Sequence, residues 1–426
     1  MGPLLRNREF RAITITELLS VLGDQLARVA LALLVFGRTG SAGLSGLTYG
    51  LTYLPTVVGG VLLSSTADRR PRREVLVVID GIRAVIVLAM AIPGAPLPLL
   101  CGLVAMSALL SGPYQAARLA LLRDILPPER YGAGMAVRQS VNQGATLAGF
   151  ASGGFLSTAF TPAICLVVDG LTFAVSAIVI LLFVRRRPAA AAAGEPTTIT
   201  STLGLIWRSS ARRAIFLMTF SAVFLIAPEA LAVALAAEVG LGPRWVGLFM
   251  ASAGLFAVAA LGLFTRYAVA AHYPRVFPAA CVAPGLPLLA VIALDDPYLI
   301  MLVFGLSGAA WAVLIVISVS TLAELLPANQ RGRGLGLAAS TNLTAHGLGA
   351  ALAGLVADAI GVAAAISLLG LASVLFAALP VALWHRADRE VPPGIRRAGP
   401  DRGRVRLDGQ LMPHDRRVQW LSKPRA

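Results

Sequence analysis

Leu121-Leu122-Arg123-Asp124-Ile125-Leu126-Pro127 returns 200 residues later as Thr321-Leu322-Ala323-Glu324-Leu325-Leu326-Pro327. The register holds beyond both prolines, where Gly132, Gly134, Asn142, Gly149 and Gly154 stand opposite Gly332, Gly334, Asn342, Gly349 and Gly354 with nothing inserted or deleted. Solenoid repeats have periods of about 20–50 residues, so a period this long points instead to two duplicated halves. In a chain dominated by apolar runs, duplication on this scale is typical of helical membrane carriers.

Of 426 residues, 57% are apolar and 13% charged, and the mean hydropathy is +0.78. No soluble core of this size needs so much apolar surface. The bilayer is the solvent. About 18 to 25 apolar residues cover a hydrocarbon core of roughly 30 Å. Twelve such runs can be marked, approximately at 12–36, 46–67, 74–93, 97–117, 138–160, 162–184, 213–237, 245–267, 276–294, 298–323, 334–357 and 361–384. Lipid offers no partner to unpaired backbone groups, and the runs lack the period-two alternation of a barrel. The expected fold is an all-α membrane protein of twelve transmembrane helices in two pseudo-symmetric six-helix halves.

Residues 1–184 and 213–384 are the expected halves, joined by a cytoplasmic linker at 185–212 and followed by a basic tail at 385–426. Within the linker, Leu203 to Arg213 interleaves Leu205, Ile206 and Trp207 with Arg208, Arg212 and Arg213, the pattern of a short helix lying along the interface. Arg6, Arg8 and Arg11 precede the first segment, Asp24 and Arg28 lie inside it, and no small-residue cleavage site follows. It reads as a retained helix rather than a signal peptide.

The net charge of +15 raises the question of nucleic acid, and its distribution answers it. Arg69, Arg70, Arg72, Arg73, Arg123, Arg130, Arg185, Arg186, Arg187, Arg275, Arg331 and Arg333 all fall on the side of the N-terminus, whereas the opposite loops hold only Arg38 and Arg244. This is the positive-inside pattern, with both termini cytoplasmic. The tail adds eleven Arg or Lys but a single aromatic, Trp420, which suits anionic lipid better than a stacked nucleic acid. Cys101, Cys165 and Cys281 sit in apolar runs without metal-ligand spacing and read as packing residues.

The loop Ser64-Ser65-Thr66-Ala67-Asp68-Arg69-Arg70-Pro71-Arg72-Arg73 resembles the signature Gly-x-x-x-Asp-Arg-x-Gly-Arg-Arg of the major facilitator superfamily, with Ser64 and Pro71 at the usual glycine positions. Phe10-Arg11, Gly23-Asp24-Gln25, Arg38-Thr39-Gly40-Ser41, Leu54-Pro55, Asp80 with Arg83-Ala84, and Asp169-Gly170-Leu171-Thr172-Phe173 look like its third family of drug:proton antiporters, which includes macrolide and enterobactin exporters. The second half matches less well. Only scattered basic groups remain between Arg266 and Arg275 where the signature would recur.

The resemblance implies a cytoplasmic gate at Asp68, Arg69, Arg72 and Arg73, to which Asp80 and Arg83 are added as gate or membrane-anchor residues near the cytoplasmic end of their segment. It also implies a central cavity lined by segments one, four, seven and ten. Candidate cavity residues on segments four, seven and ten are Ser107, Ser111, Tyr114, Phe220, Phe224, Phe304, Ser307 and Trp311. A pocket of aromatic and small polar groups suits an amphipathic organic ligand.

Charges at mid-membrane cost about 2.5–3.5 kcal/mol each on insertion scales and usually face a cavity or a partner. Asp24 and Arg28 lie one turn apart, in position to pair. Glu229 follows Pro228, which is expected to break its helix, and has no basic residue on its own face. Glu229, Asp24 and Arg28 are therefore the candidates for proton coupling, with Glu229 the better carrier. His346 is expected to be a hydrogen-bonded spacer behind the cavity. Gly149 with Gly153, and Gly349 with Ala353, have the spacing of close helix crossings, expected between the halves.

No phosphate-binding loop, metal-ligand spacing or nucleophile elbow occurs, so enzyme chemistry is not expected. The expected function is proton-coupled export of a drug-like or natural-product molecule by a monomer in the plasma membrane, driven by the proton gradient without a cofactor. The alternatives are an importer or lysophospholipid transporter, and a non-transporting sensor or scaffold on the same fold.

Overall fold

The computed structural model describes residues 6–187, 199–267, 273–327 and 330–387, with the side chains at 64–69, 128, 199–202, 265 and 274 outside that description. All regular elements among the described residues are helical. The first half contains α1 (Arg8–Thr39), α2 (Ala42–Gly50, continuing as Leu54–Arg69), α3 (Arg72–Met90), α4 (Leu97–Ile125), α5 (Pro128–Ala159) and α6 (Pro162–Phe183). The second contains α7 (pieces from Ser210–Phe220 to Ala232–Glu238), α8 (Pro243–Tyr267), α9 (Tyr273–Val282, then a 3-10 stretch Pro287–Ala293), α10 (Pro297–Leu325), α11 (Arg331–Ile360) and α12 (Val362–Arg386).

Ten of these twelve are long and apolar enough to cross a membrane. The others, α3, which carries more charge, and α5, which is richer in small and polar residues, have 19 and 32 residues. At about 1.5 Å per residue even α3 spans roughly 30 Å. Both α4 and α5 outrun their expected apolar segments. Hydropathy fades at Arg123, Arg130 and Arg138, whereas backbone hydrogen bonding does not.

Local chemistry sets the turns. Asn7 caps α1 by accepting from the backbone N–H groups of Glu9 and Phe10. Gly40 ends α1 at φ 65°, a left-handed conformation that costs glycine least, and its N–H returns to Phe36 O. Ser41 then caps α2 through Leu44 N. Proline stands in the first helical turn of α4, α5, α6 and α10, where its missing N–H costs nothing. As expected near Pro228, α7 is broken, with interruptions at Ser221, Ile226 and Leu231.

The repeated glycines perform matching tasks. A Cβ on Gly134 or Gly334 would strike Leu126 or Leu326 of the preceding turn. One on Gly149 would reach Leu22 of α1, and one on Gly349 would reach Val223 of α7. Thus Gly149, Gly153 and Gly349 pack within their own halves, contrary to the expected crossing between halves. That crossing belongs to the next glycines: a Cβ on Gly154 would lie 2.7 Å from Gly247 Cα, and one on Gly354 would lie 2.9 Å from Gly43 Cα.

All four residues lie at the end of the molecule remote from the N-terminus. There α2 meets α11 and α5 meets α8. The core cluster at this seam joins Val29, Tyr49 and Phe150 to Ile226, Leu231, Trp245 and Phe304. At the terminus end Gln139 and Ser140 of α5 and Ala339 and Ser340 of α11 are exposed. The halves are closed on the far side and open on the terminus side.

The linker helix spans Ile199–Trp207, earlier than expected. Its Ile206 is buried, Leu203 and Leu205 pack into the second half's core, and Trp207 stands edge-on to Phe216 at 5.9 Å. It docks on protein instead of lying along the interface. Beyond α6, Arg187 grips Glu9 at 2.7 Å, a hydrogen bond that pushes its guanidinium further above the ordinary value. The tail from 388 onward lies outside the described residues.

Candidate functional site

Asp24, midway along α1, is paired with Arg83 of α3 at 2.8 Å. This replaces the expected pair with Arg28. The Arg83 Nε donates to Ser107 Oγ at 3.2 Å, and its guanidinium lies 4.1 Å from the centre of the Phe173 ring. Asp169 of α6 packs against Gly23, beside Asp24, and accepts from Thr172 Oγ1 at 3.4 Å. Carboxylate, hydroxyl and ring thus converge from α1, α4 and α6 upon one guanidinium of α3.

The expected placement of Asp80 and Arg83 near headgroups is also corrected. Asp80 is fully buried and accepts from Tyr114 OH at 3.0 Å and Ser176 Oγ at 2.6 Å. A helical offset of three residues aims Asp80 and Arg83 at different partners inside the half. Arg118 donates to Tyr114 OH at 3.1 Å and lies 3.9 Å from Glu17, which Arg138 approaches to 3.0 Å. Arg138 also donates to Gln115 at 3.1 Å. Two polar clusters therefore lie inside the first half, one around Glu17, Arg118 and Asp80 and one around Asp24 and Arg83.

Of the signature-loop residues, Arg72 pairs with Asp124 and donates to Ala120 O, and Arg73 donates to Leu181 O. Asp68 and Arg69 close α2, and their side chains lie outside the described ones.

Across the seam, Tyr49 OH donates to Glu229 Oε2 at 3.0 Å. The Tyr49 ring lies 5.8 Å from that of Tyr53, whose hydroxyl accepts from Arg28 Nη1 at 3.0 Å. His346 accompanies them. Its ring is 5.5 Å from Tyr53 and 6.4 Å from Trp311, and its Nδ1 is 2.8 Å from Asn342 O. The side chain therefore faces the opposite half from inside the cavity, not from behind it.

Two cavities meet here, sharing Thr146. One, of about 310 Å³, lies in the first half and includes Asp24, Arg28, Arg83, Ser107, Ser111 and Tyr114. The other, of about 360 Å³, is lined by Phe150, Glu229, Phe304, Ser307, Trp311 and His346. Phe220 and Phe224 contact Phe376 of α12, at 6.4 and 5.6 Å, and line neither cavity. The breaks in α7 turn its aromatic face toward its own half.

Sequence reasoning missed Glu17, Arg118, Arg138, Tyr49 and Tyr53. For Arg118 a signal existed, an arginine set between the end of an apolar run and a further apolar stretch, Leu119 to Leu122. For the tyrosines none did, because their partners lie 180 residues away and on another helix.

A profile of the Major Facilitator Superfamily matches residues 13–277. No curated protein sequence matches the chain. Among solved structures, an inward-facing, unoccupied bacterial homologue of the human lysosomal transporter Spinster is similar at 14% identity and a TM-score of 0.69, covering 89% of this chain and 96% of that one. A POT family transporter in complex with 5-aminolevulinic acid gives 11% identity, a TM-score of 0.72 and coverage of 90% and 97%. The nucleoside transporter NupG gives 14%, 0.69, and coverage of 88% and 99%. Likeness at these identities is likeness of fold.

Proposed function

The chain belongs to the major facilitator superfamily of secondary transporters, and from that premise we propose that it exports a drug-like or natural-product molecule in exchange for protons, by alternating access. The observation that carries this reading is the Tyr49–Glu229 hydrogen bond across the seam. It helps close the far side, and its acceptor is a carboxylate deep in the membrane. Charge-assisted hydrogen bonds are roughly twice as strong as neutral ones, so a proton on Glu229 weakens the closure. A ligand shifts a two-state equilibrium only by binding its states unequally, and the proton does so here.

Arg28 takes part through Tyr53, and the Asp24–Arg83 pair holds the neighbouring wall. The apolar side chains around Phe304 and Trp311 receive the organic body of the substrate. Basic loops at the open mouth support a cytoplasmic placement of that side, with substrate entering from within. When the carrier faces outward, Asp68, Arg69, Arg72 and Arg73 latch that mouth. Export, rather than uptake, is the direction implied by resemblance to the third drug:proton antiporter family.

Expression in a host stripped of its own efflux pumps tests the proposal. Intracellular accumulation of at least one compound in a panel of macrolide- and siderophore-like molecules falls, and a protonophore abolishes the effect. Higher accumulation identifies an importer, and no change across the panel removes the exporter reading.

A further inference from the structure

Arg28 is the one guanidinium lining the cavities that has no carboxylate within ion-pair distance among the described residues. Arg83 has Asp24, and Arg118 has Glu17. Arg28 donates only to Gln25 Oε1 at 3.2 Å and Tyr53 OH at 3.0 Å. Both bonds leave from Nη1. Among the described residues, Nε and Nη2 therefore have no protein acceptor, and the ring of Tyr53 covers one face of the group at 4.6 Å.

The surrounding charges do not supply the missing partner. Asp24 is turned to Arg83, Asp169 is bonded to Thr172, and Glu229 receives Tyr49. In the first cavity three guanidiniums, Arg28, Arg83 and Arg118, face two carboxylates, Asp24 and Asp169. An unpaired cation inside the membrane is costly, and such groups normally face a partner or a ligand pathway. A planar fork with two free donor nitrogens matches the geometry of a carboxylate.

From this we infer that the transported molecule is an amphipathic organic anion whose carboxylate is received by Arg28. The inference rests on the exporter reading and narrows its substrate class. The head group occupies the first cavity at Nε and Nη2. The apolar body extends past Thr146 into the second cavity, against Phe304 and Trp311. Tyr53 and Gln25 hold the guanidinium in place by the bonds already described.

The test is equilibrium binding to the full chain in lipid nanodiscs, with empty nanodiscs subtracted, using naproxen as an aromatic carboxylate and its methyl ester as the uncharged counterpart. The wild type binds the acid at least about tenfold more tightly than the ester. Arg28→Gln brings the two affinities together, and Arg28→Lys leaves an intermediate ratio. Equal affinities in the wild type, or an undiminished preference in folded Arg28→Gln, overturn the inference. If Arg28→Gln does not fold, protection of a Thr52→Cys thiol in otherwise wild-type protein decides the matter: the acid protects it and the ester does not, and equal protection overturns the inference. Binding does not depend on coupling, so a retained acid preference without drug export refutes the exporter reading alone.

Discussion

Tyr49 and Glu229, on α2 and α7, form a hydrogen bond of 3.0 Å that joins the two halves near the closed end. A hydrogen bond to a charged group contributes about 1.5–3 kcal/mol, enough to move a two-state population by a factor of ten or more. Tyr49→Phe therefore shifts the carrier toward states open on the far side. In a background lacking Cys101, Cys165 and Cys281, a cysteine at Thr52, which lines the first cavity, reports this. Labelling by an impermeant reagent from the far side rises in Tyr49→Phe, and an unchanged rate shows that the bond does not hold the closure.

Glu229→Gln keeps a polar acceptor for Tyr49 but cannot carry a proton. Substrate-driven proton release from inside-out vesicles is expected to vanish, while substrate binding measured without a gradient persists. Coupling that survives this substitution excludes Glu229 as the carrier.

Closure also depends on glycine. With Gly154 and Gly247 backbone against backbone, no flexible side chain can yield to a Cβ, so Gly154→Leu wedges α5 from α8. Transport is lost and far-side labelling at the Thr52 position rises. Gly132, with open space around it, serves as the control: Gly132→Leu leaves both unchanged. Equal effects at the two positions would mean that the loss arises from general misfolding.

The sequence was most legible where a signal was local. Apolar length located the spans, and the 200-residue period disclosed the two halves. Pro228 correctly marked the broken stretch of α7. Pairings were not legible, because which charge meets which is decided by packing between helices. Asp24 has Arg28 one turn away, yet α3 brings Arg83 closer in the required direction. The same limit hid the Glu17, Arg118 and Arg138 cluster, whose members lie on three helices. Glycines were legible as close-packing positions but not as to partner, since Gly149 and Gly154 differ by about 140° around one helix.

The Asp24–Arg83 pair separates the local reading from the tertiary one. Removing one partner of a fully buried ion pair costs about 3–5 kcal/mol, because the other is left uncompensated. The Asp24 side chain is 33% exposed and Arg83 6%, so the cost here lies toward or below the lower end of that range. Asp24→Asn strands the more deeply buried cation and lowers the thermal unfolding temperature of the purified protein by several degrees. Arg83→Gln does so too, leaving Asp24 without its guanidinium. The double substitution removes both charges and recovers part of the loss, a coupling of about 1 kcal/mol or more in a double-mutant cycle. The corresponding cycle of Asp24→Asn with Arg28→Gln gives a much smaller coupling, since those side chains do not pair. Strong coupling to Arg28 with none to Arg83 would restore the helix-local pairing and contradict the Asp24–Arg83 contact between α1 and α3.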